Sequence, residues 1–143
     1  MTGIGLETAR TVIAGARAHG QEQGFKPLTV VVLDAGGHVV AVEREDGSSN
    51  KRFEIGFGKA HGALALGMGS RSIMGRAEQQ AYFIAAVTSA VGGALVPVPG
   101  GVLVRDAEGV LLGAVGVTGD TSDNDESAAV AGIEGAGLTA QSD

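Results

Sequence analysis

Cysteine and tryptophan are both missing from this chain of 143 residues, and aromatic residues make up only 3% of it. Without cysteine there are no disulfides, no Cys-based zinc sites and no thiol nucleophiles. With so few rings, the core has to be built from Val, Leu, Ile and Ala. Positive charge is also scarce: ten Lys and Arg face sixteen Asp and Glu, for a net charge of −6. No basic patch carries a stacking aromatic beside it, which argues against nucleic acid as a partner. The longest uncharged stretch, Gln79 to Val104, is interrupted by Gly92-Gly93 and by Pro97 to Gly101. Such breaks are incompatible with a spanning helix, so no membrane segment is expected. Residues 1–20 carry Glu7, Arg10 and Arg17 and show no signal-peptide pattern, which gives a cytoplasmic expectation.

Hydrophobic residues, by contrast, reach 44%, and glycine is abundant at 25 residues. The length fits one globular domain, 1–143, able to bury roughly two-thirds of its unfolded surface. Leu6, Ala9, Ile13 and Ala16 recur at helical spacing, which predicts a helix from Leu6 to Gln23 ended near Gly24. Leu28 to Leu33 is a continuous apolar run and reads as a strand covered on both faces. Asp34-Ala-Gly-Gly37 then turns the chain into a second strand, His38 to Arg44. Phe53, Phe57, Ala60 and Leu64 mark a second helix containing Gly56, Gly58 and Gly62. Each interior helical glycine costs about 1 kcal/mol relative to alanine, so close approach to a sheet, a neighbouring subunit or a ligand is implied.

A third helix is predicted from Ser72 to Val91, then strands near Ala94–Val98, Gly101–Arg105 and Val110–Val117, and a last helix from Asn124 to Leu138. Residues Thr139 to Asp143 read as a frayed tail. Arg105-Asp-Ala-Glu-Gly109 echoes Leu33-Asp-Ala-Gly-Gly37. Two similar hairpins separated by helices imply antiparallel pairing and an α–β–α sandwich of the profilin-like or PAS-like kind.

Several residues could carry chemistry. His61 lies at the edge of a helix made thin by glycine, either as a boundary histidine or as a ligand-binding one. Lys59 is either a snorkelling lysine or a cation for a carboxylate or propionate. Gly100 and Gly101, in a loop shaped by Pro97 and Pro99, would offer backbone N–H groups across a cleft from Lys59 and His61. His38 opens a strand after a turn. Asp120, Asp125 and Glu126 read as a divalent-cation site, an acid–base pair or a helix N-cap centred on Ser122 or Asp123. No Gly-x-Gly-x-x-Gly or Walker loop follows a strand, so no nucleotide cofactor is supported.

Pro97-Val-Pro-Gly-Gly101, the turn at Asp106-Ala-Glu-Gly109, Gly113-Ala-Val-Gly-Val-Thr-Gly119 and Asp125-Glu126 with Ala129 and Ala131-Gly132 together resemble the GlcG/HbpS-like family, which includes the C-terminal domain of PduO-type proteins. Asp46-Gly47 and Lys59-Ala60 fit the same pattern. The resemblance implies a five-stranded antiparallel sheet in an α–β–α sandwich, a homo-oligomer of two or more copies, and haem or iron binding. By chemistry alone, His61 and His38 are the candidate iron ligands. The leading expectation is a small oligomeric binding protein for haem or a similar planar or carboxylated ligand. The alternatives are a catabolic isomerase, lyase or hydrolase acting on a small carboxylated metabolite, with His61 as its candidate catalytic group, and a scaffold subunit.

Overall fold

The apolar run beginning at Leu28 becomes β1 (Thr29–Asp34), whose first five residues are all buried. The computed structural model describes residues 3–143. β1 is flanked by two antiparallel partners, β2 (Val39–Arg44) and β4 (Leu111–Thr118); β3 (Gly101–Arg105) pairs with β4, and β5 (Thr139–Gln141) pairs with β3. The order across the sheet is β2-β1-β4-β3-β5. Val30 and Val32 pack beneath α1 (Leu6–Gln23) and α5 (Ser122–Gly135), while Val31 and Leu33 pack beneath α2 (Arg52–Leu66). Helices on both faces account for the absence of polar residues in the middle of β1. The architecture is the expected α+β sandwich around a five-stranded antiparallel sheet. Among the described residues, no helix is long and apolar enough to cross a membrane.

The two hairpin turns are built alike. Asp34 Oδ1 accepts from the N–H groups of Gly36 and His38, and Asp106 Oδ1 accepts from those of Glu108 and Val110. Each turn ends on a glycine at φ +84°, Gly37 and Gly109. A Cβ at Gly109 would meet nothing within 4 Å, so a side chain there costs backbone strain alone. Gly109→Val is expected to destabilise the protein by about 1–3 kcal/mol. Urea unfolding measures this, and an unshifted midpoint would contradict the left-handed turn.

Four sequence expectations are corrected. The helix expected over Ser72–Val91 is two helices, α3 (Ser70–Gln79) and α4 (Ala81–Ala90), broken at Gln80 with φ −141° and ψ 66°. The bend lets Ile84 fold back against Ile73 and Leu95 in a small core of their own. Ala94–Val98 is not a strand: Val96 N–H donates to the Gly58 carbonyl of α2, and Pro97 has no N–H to offer a ladder. Residues Thr139–Gln141 are not frayed but form β5, which covers the outer edge of β3; Asp143 O further accepts from Gly69 N–H at 2.8 Å. The last helix is Ser122–Gly135 rather than Asn124–Leu138, and its cap is Thr121, one position before Ser122, with Thr121 Oγ1 accepting from Asn124 N–H.

Candidate functional site

Lys59 and His61 stand two residues apart on α2, and that spacing turns them away from each other. Lys59 points into the sheet end and is only 2% exposed. Its Nζ donates to the Val117 carbonyl at 2.9 Å and to Asp125 Oδ2 at 3.1 Å. Asp125 is equally buried and also accepts from Asp120 N–H at 2.9 Å. The pair thus ties α2 to α5 around the end of β4. Burial holds the Lys59 ammonium below its ordinary value and pushes the Asp125 carboxyl above its own, while each charge offsets part of the other's penalty.

The loop before β3 packs directly on Lys59, leaving no cleft between them. A Cβ at Gly101 would lie 2.3 Å from the Lys59 carbonyl oxygen, and one at Gly100 would lie 2.8 Å from Nζ. The Gly101 N–H donates to Ser70 Oγ at 2.7 Å, and the Gly100 carbonyl accepts from Val117 N–H. Lys59, Gly100 and Gly101, expected to face each other across a cleft shared with His61, instead meet in a packed joint that His61 does not share. Gly58 and Gly62 make room for this chain segment too: Cβ atoms there would strike Val96 and Leu95 at 2.7 and 2.9 Å.

His61 faces outward, half-buried. Its Nδ1 lies 2.9 Å from the Ala94 carbonyl oxygen. A carbonyl only accepts, so Nδ1 carries the proton and the Nε2 lone pair stays free. The ring stacks on Phe57, one turn earlier, with centroids 5.2 Å apart and planes 21° from parallel. Beside it is an open recess of about 180 Å³ lined by Ala35, Gly36, Gly37, His61, Leu64 and Ala65. A Cβ at Gly37 would come within 3.5 Å of the imidazole, so the hairpin turn leaves the ring edge uncovered. Imidazole Nε2 on an oriented ring beside an open recess can bind a metal centre in a flat ligand or exchange a proton.

The remaining candidates do not join this recess. His38 is held by Asp34, with Nδ1 at 3.1 Å from Oδ1, and Asp34 continues the Val30–Val32 face toward α1. Glu126 pairs with Arg71 at 3.0 Å, and Arg71 also reaches Asp123. Asp120 accepts from the N–H groups of Lys26 and Thr121 and from the Asn124 amide. Among the described residues no group of three or more His, Asp or Glu converges to hold a metal ion. The bond from Lys26 N–H, then those from Asn124 and Thr121, hold the Asp120 pKa below the ordinary 3.8. The unfolded chain takes up this proton first as pH falls, so the contribution is complete above about pH 4 and is lost as pH drops through the folded value. Asp120→Asn should flatten the acid-unfolding curve below pH 3.8; a slope equal to wild type would refute this role.

Phe57, the Ala94 carbonyl and the Gly36–Gly37 turn were missed as parts of the His61 site. Only Phe57 carried a signal, since residues four apart on a helix touch.

The family model described as haem degrading protein HbpS-like matches residues 4–134. The chain belongs to the HbpS-like family. HbpS itself is similar in structure, with a TM-score of 0.79 and 26% identity over 94% of this chain and 90% of that one. The PduOC–haem complex gives a TM-score of 0.84 at 20% identity, covering 96% of this chain and 97% of its own. The Klebsiella pneumoniae protein ORFY gives 0.84 at 23% identity, covering 94% and 90%. The last two likenesses concern the fold. No curated protein sequence matches this chain significantly.

Proposed function

We infer that this HbpS-like protein binds haem, or a similar planar and carboxylated ligand, through His61 in an oligomeric assembly. The observation that carries the reading is the imidazole itself: Nδ1 is committed to the Ala94 carbonyl, and Nε2 is free at the rim of an open recess lined by the Gly36–Gly37 turn, Leu64 and Ala65. A bound haem would supply an iron centre, and His61 would be the residue to hold it, since imidazole nitrogen suits iron. The carbonyl partner fixes the tautomer and raises the donor strength of Nε2, and Phe57 keeps the ring from rotating. The solved haem complex of the similarly folded PduOC supports the reading.

The recess is smaller than the roughly 300–1,000 Å³ pockets that enclose a ligand. A macrocycle seated by one edge would leave its other side for a second copy to cover. α4 offers apolar surface for such packing: it carries no charge, Ile84 is its only buried residue, and Tyr82 is 73% exposed.

Titration with haemin tests the binding. A Soret shift saturating near one equivalent per protomer is expected, and His61→Ala should remove it with the circular dichroism spectrum unchanged. A full shift in His61→Ala would place the iron ligand elsewhere. Light scattering at micromolar concentration should give a dimer or larger species; a monomer would rule out the assembly.

A further inference from the structure

The opposite side of α2 covers a polar cluster that the His61 recess does not use. Thr29 is paired in register with Arg44 on one side and Thr118 on the other, so the three side chains stand in a row on the α2 face. Arg52, in the first turn of α2, lies over this row. Its guanidinium donates to Thr118 Oγ1 at 2.8 Å and to Ser49 Oγ at 3.1 Å. The Arg44 guanidinium donates to the Ser48 carbonyl.

Three features mark the cluster as incomplete. First, neither arginine has a carboxylate within salt-bridge distance among the described residues, although the chain carries a net charge of −6. Second, two buried hydroxyls have no hydrogen-bond partner, Thr29 Oγ1 and Ser48 Oγ. Thr29 is fully buried between the two cross-strand partners, and Ser48 is 8% exposed beside Arg44. Buried hydroxyls are nearly always bonded, so unmet donors next to two unpaired cations point to a missing acceptor. Third, the 15-residue α2 begins here with no side-chain cap, so its first-turn N–H groups have no side-chain acceptor, and Glu54 in that turn offsets only part of the dipole.

An oxyanion answers all three. It accepts from guanidinium forks, from hydroxyls and from N-terminal N–H groups. We propose that Arg44 and Arg52, with the hydroxyls of Thr29 and Ser48 and the first turn of α2, form a binding site for the phosphate or carboxylate group of a small metabolite. The site is separate from the His61 recess. Nine residues divide Arg52 from His61, which is roughly 13 Å along the axis and half a turn out of phase. It does not depend on haem binding.

The probe is inorganic phosphate, with succinate in a parallel arm, each titrated at constant ionic strength and followed by amide NMR shifts. Saturable shifts are expected at Ser48 to Glu54 and at Thr118, while Gly37 and Leu64 stay fixed. Saturation by either ion supports the site, and the tighter one names the headgroup. Arg44 is exposed and holds only the Ser48 carbonyl, so Arg44→Gln should keep wild-type melting and weaken binding about tenfold. Arg52→Gln should abolish saturation. Shifts that rise linearly with both ions, or affinity unchanged in both variants, would overturn the proposal.

Discussion

Asp125→Ala is expected to lower the unfolding free energy by about 3–5 kcal/mol. Among the described residues the carboxylate is the only acid that meets Lys59, and both side chains are 2% exposed. Removing it strands an ammonium among β4, α2 and the Gly100–Gly101 loop, with the Val117 carbonyl as its remaining partner. The Asp120 N–H loses its acceptor as well. Against a total of about 5–15 kcal/mol for an ordinary domain, this is a large share. Replacing both partners, Lys59→Met with Asp125→Leu, should recover most of the loss, because a buried pair gives little over well-packed apolar groups. Urea unfolding of the three proteins decides the matter. A loss below about 1 kcal/mol for Asp125→Ala would mean that water reaches the pair. Lys59→Ala discriminates further. A ligand-contacting lysine could be removed with the fold intact, whereas this one should melt early.

The second large effect is expected at the contact between α2 and the sheet. A Cβ built on Gly116 of β4 would lie 2.0 Å from the Gly56 carbonyl oxygen of α2 and 3.2 Å from the Ala60 methyl. The first obstacle is helix backbone, which cannot rotate aside as a side chain can. Gly116→Ala must therefore lift α2 off β4, opening the layer that buries Val31, Leu33, Leu103 and Ala114. A loss of about 3 kcal/mol or more is expected, at the upper end for overpacking. Differential scanning calorimetry would show it as a depressed melting temperature. Wild-type melting would mean that α2 sits farther from the sheet. The same displacement should disturb the His61 recess, because His61 and Phe57 ride on this helix.

What the sequence determined by itself was local. The helix Leu6–Gln23 appears with the predicted limits, because its periodic apolar face and Gly24, at φ +72°, are both written in consecutive residues. The paired Asp-Ala-x-Gly turns were legible for the same reason: an Asp side chain and a left-handed glycine act within five residues. β1 could be read as covered on both sides because an uninterrupted apolar run has no solvent face. Tertiary structure decided whatever depended on distant partners. Thr139–Gln141 is too short and polar to announce a strand, yet it becomes one where β3 offers an open edge. The glycines of α2 signalled a close neighbour, and only packing showed that it was the sheet and the Leu95–Val96 segment. Lys59 looked free because Asp125, its partner, lies 66 positions along the chain. Once both charges left water, their attraction and the cost of separating them fixed Lys59 in the core, leaving His61 alone on the outer face of the helix.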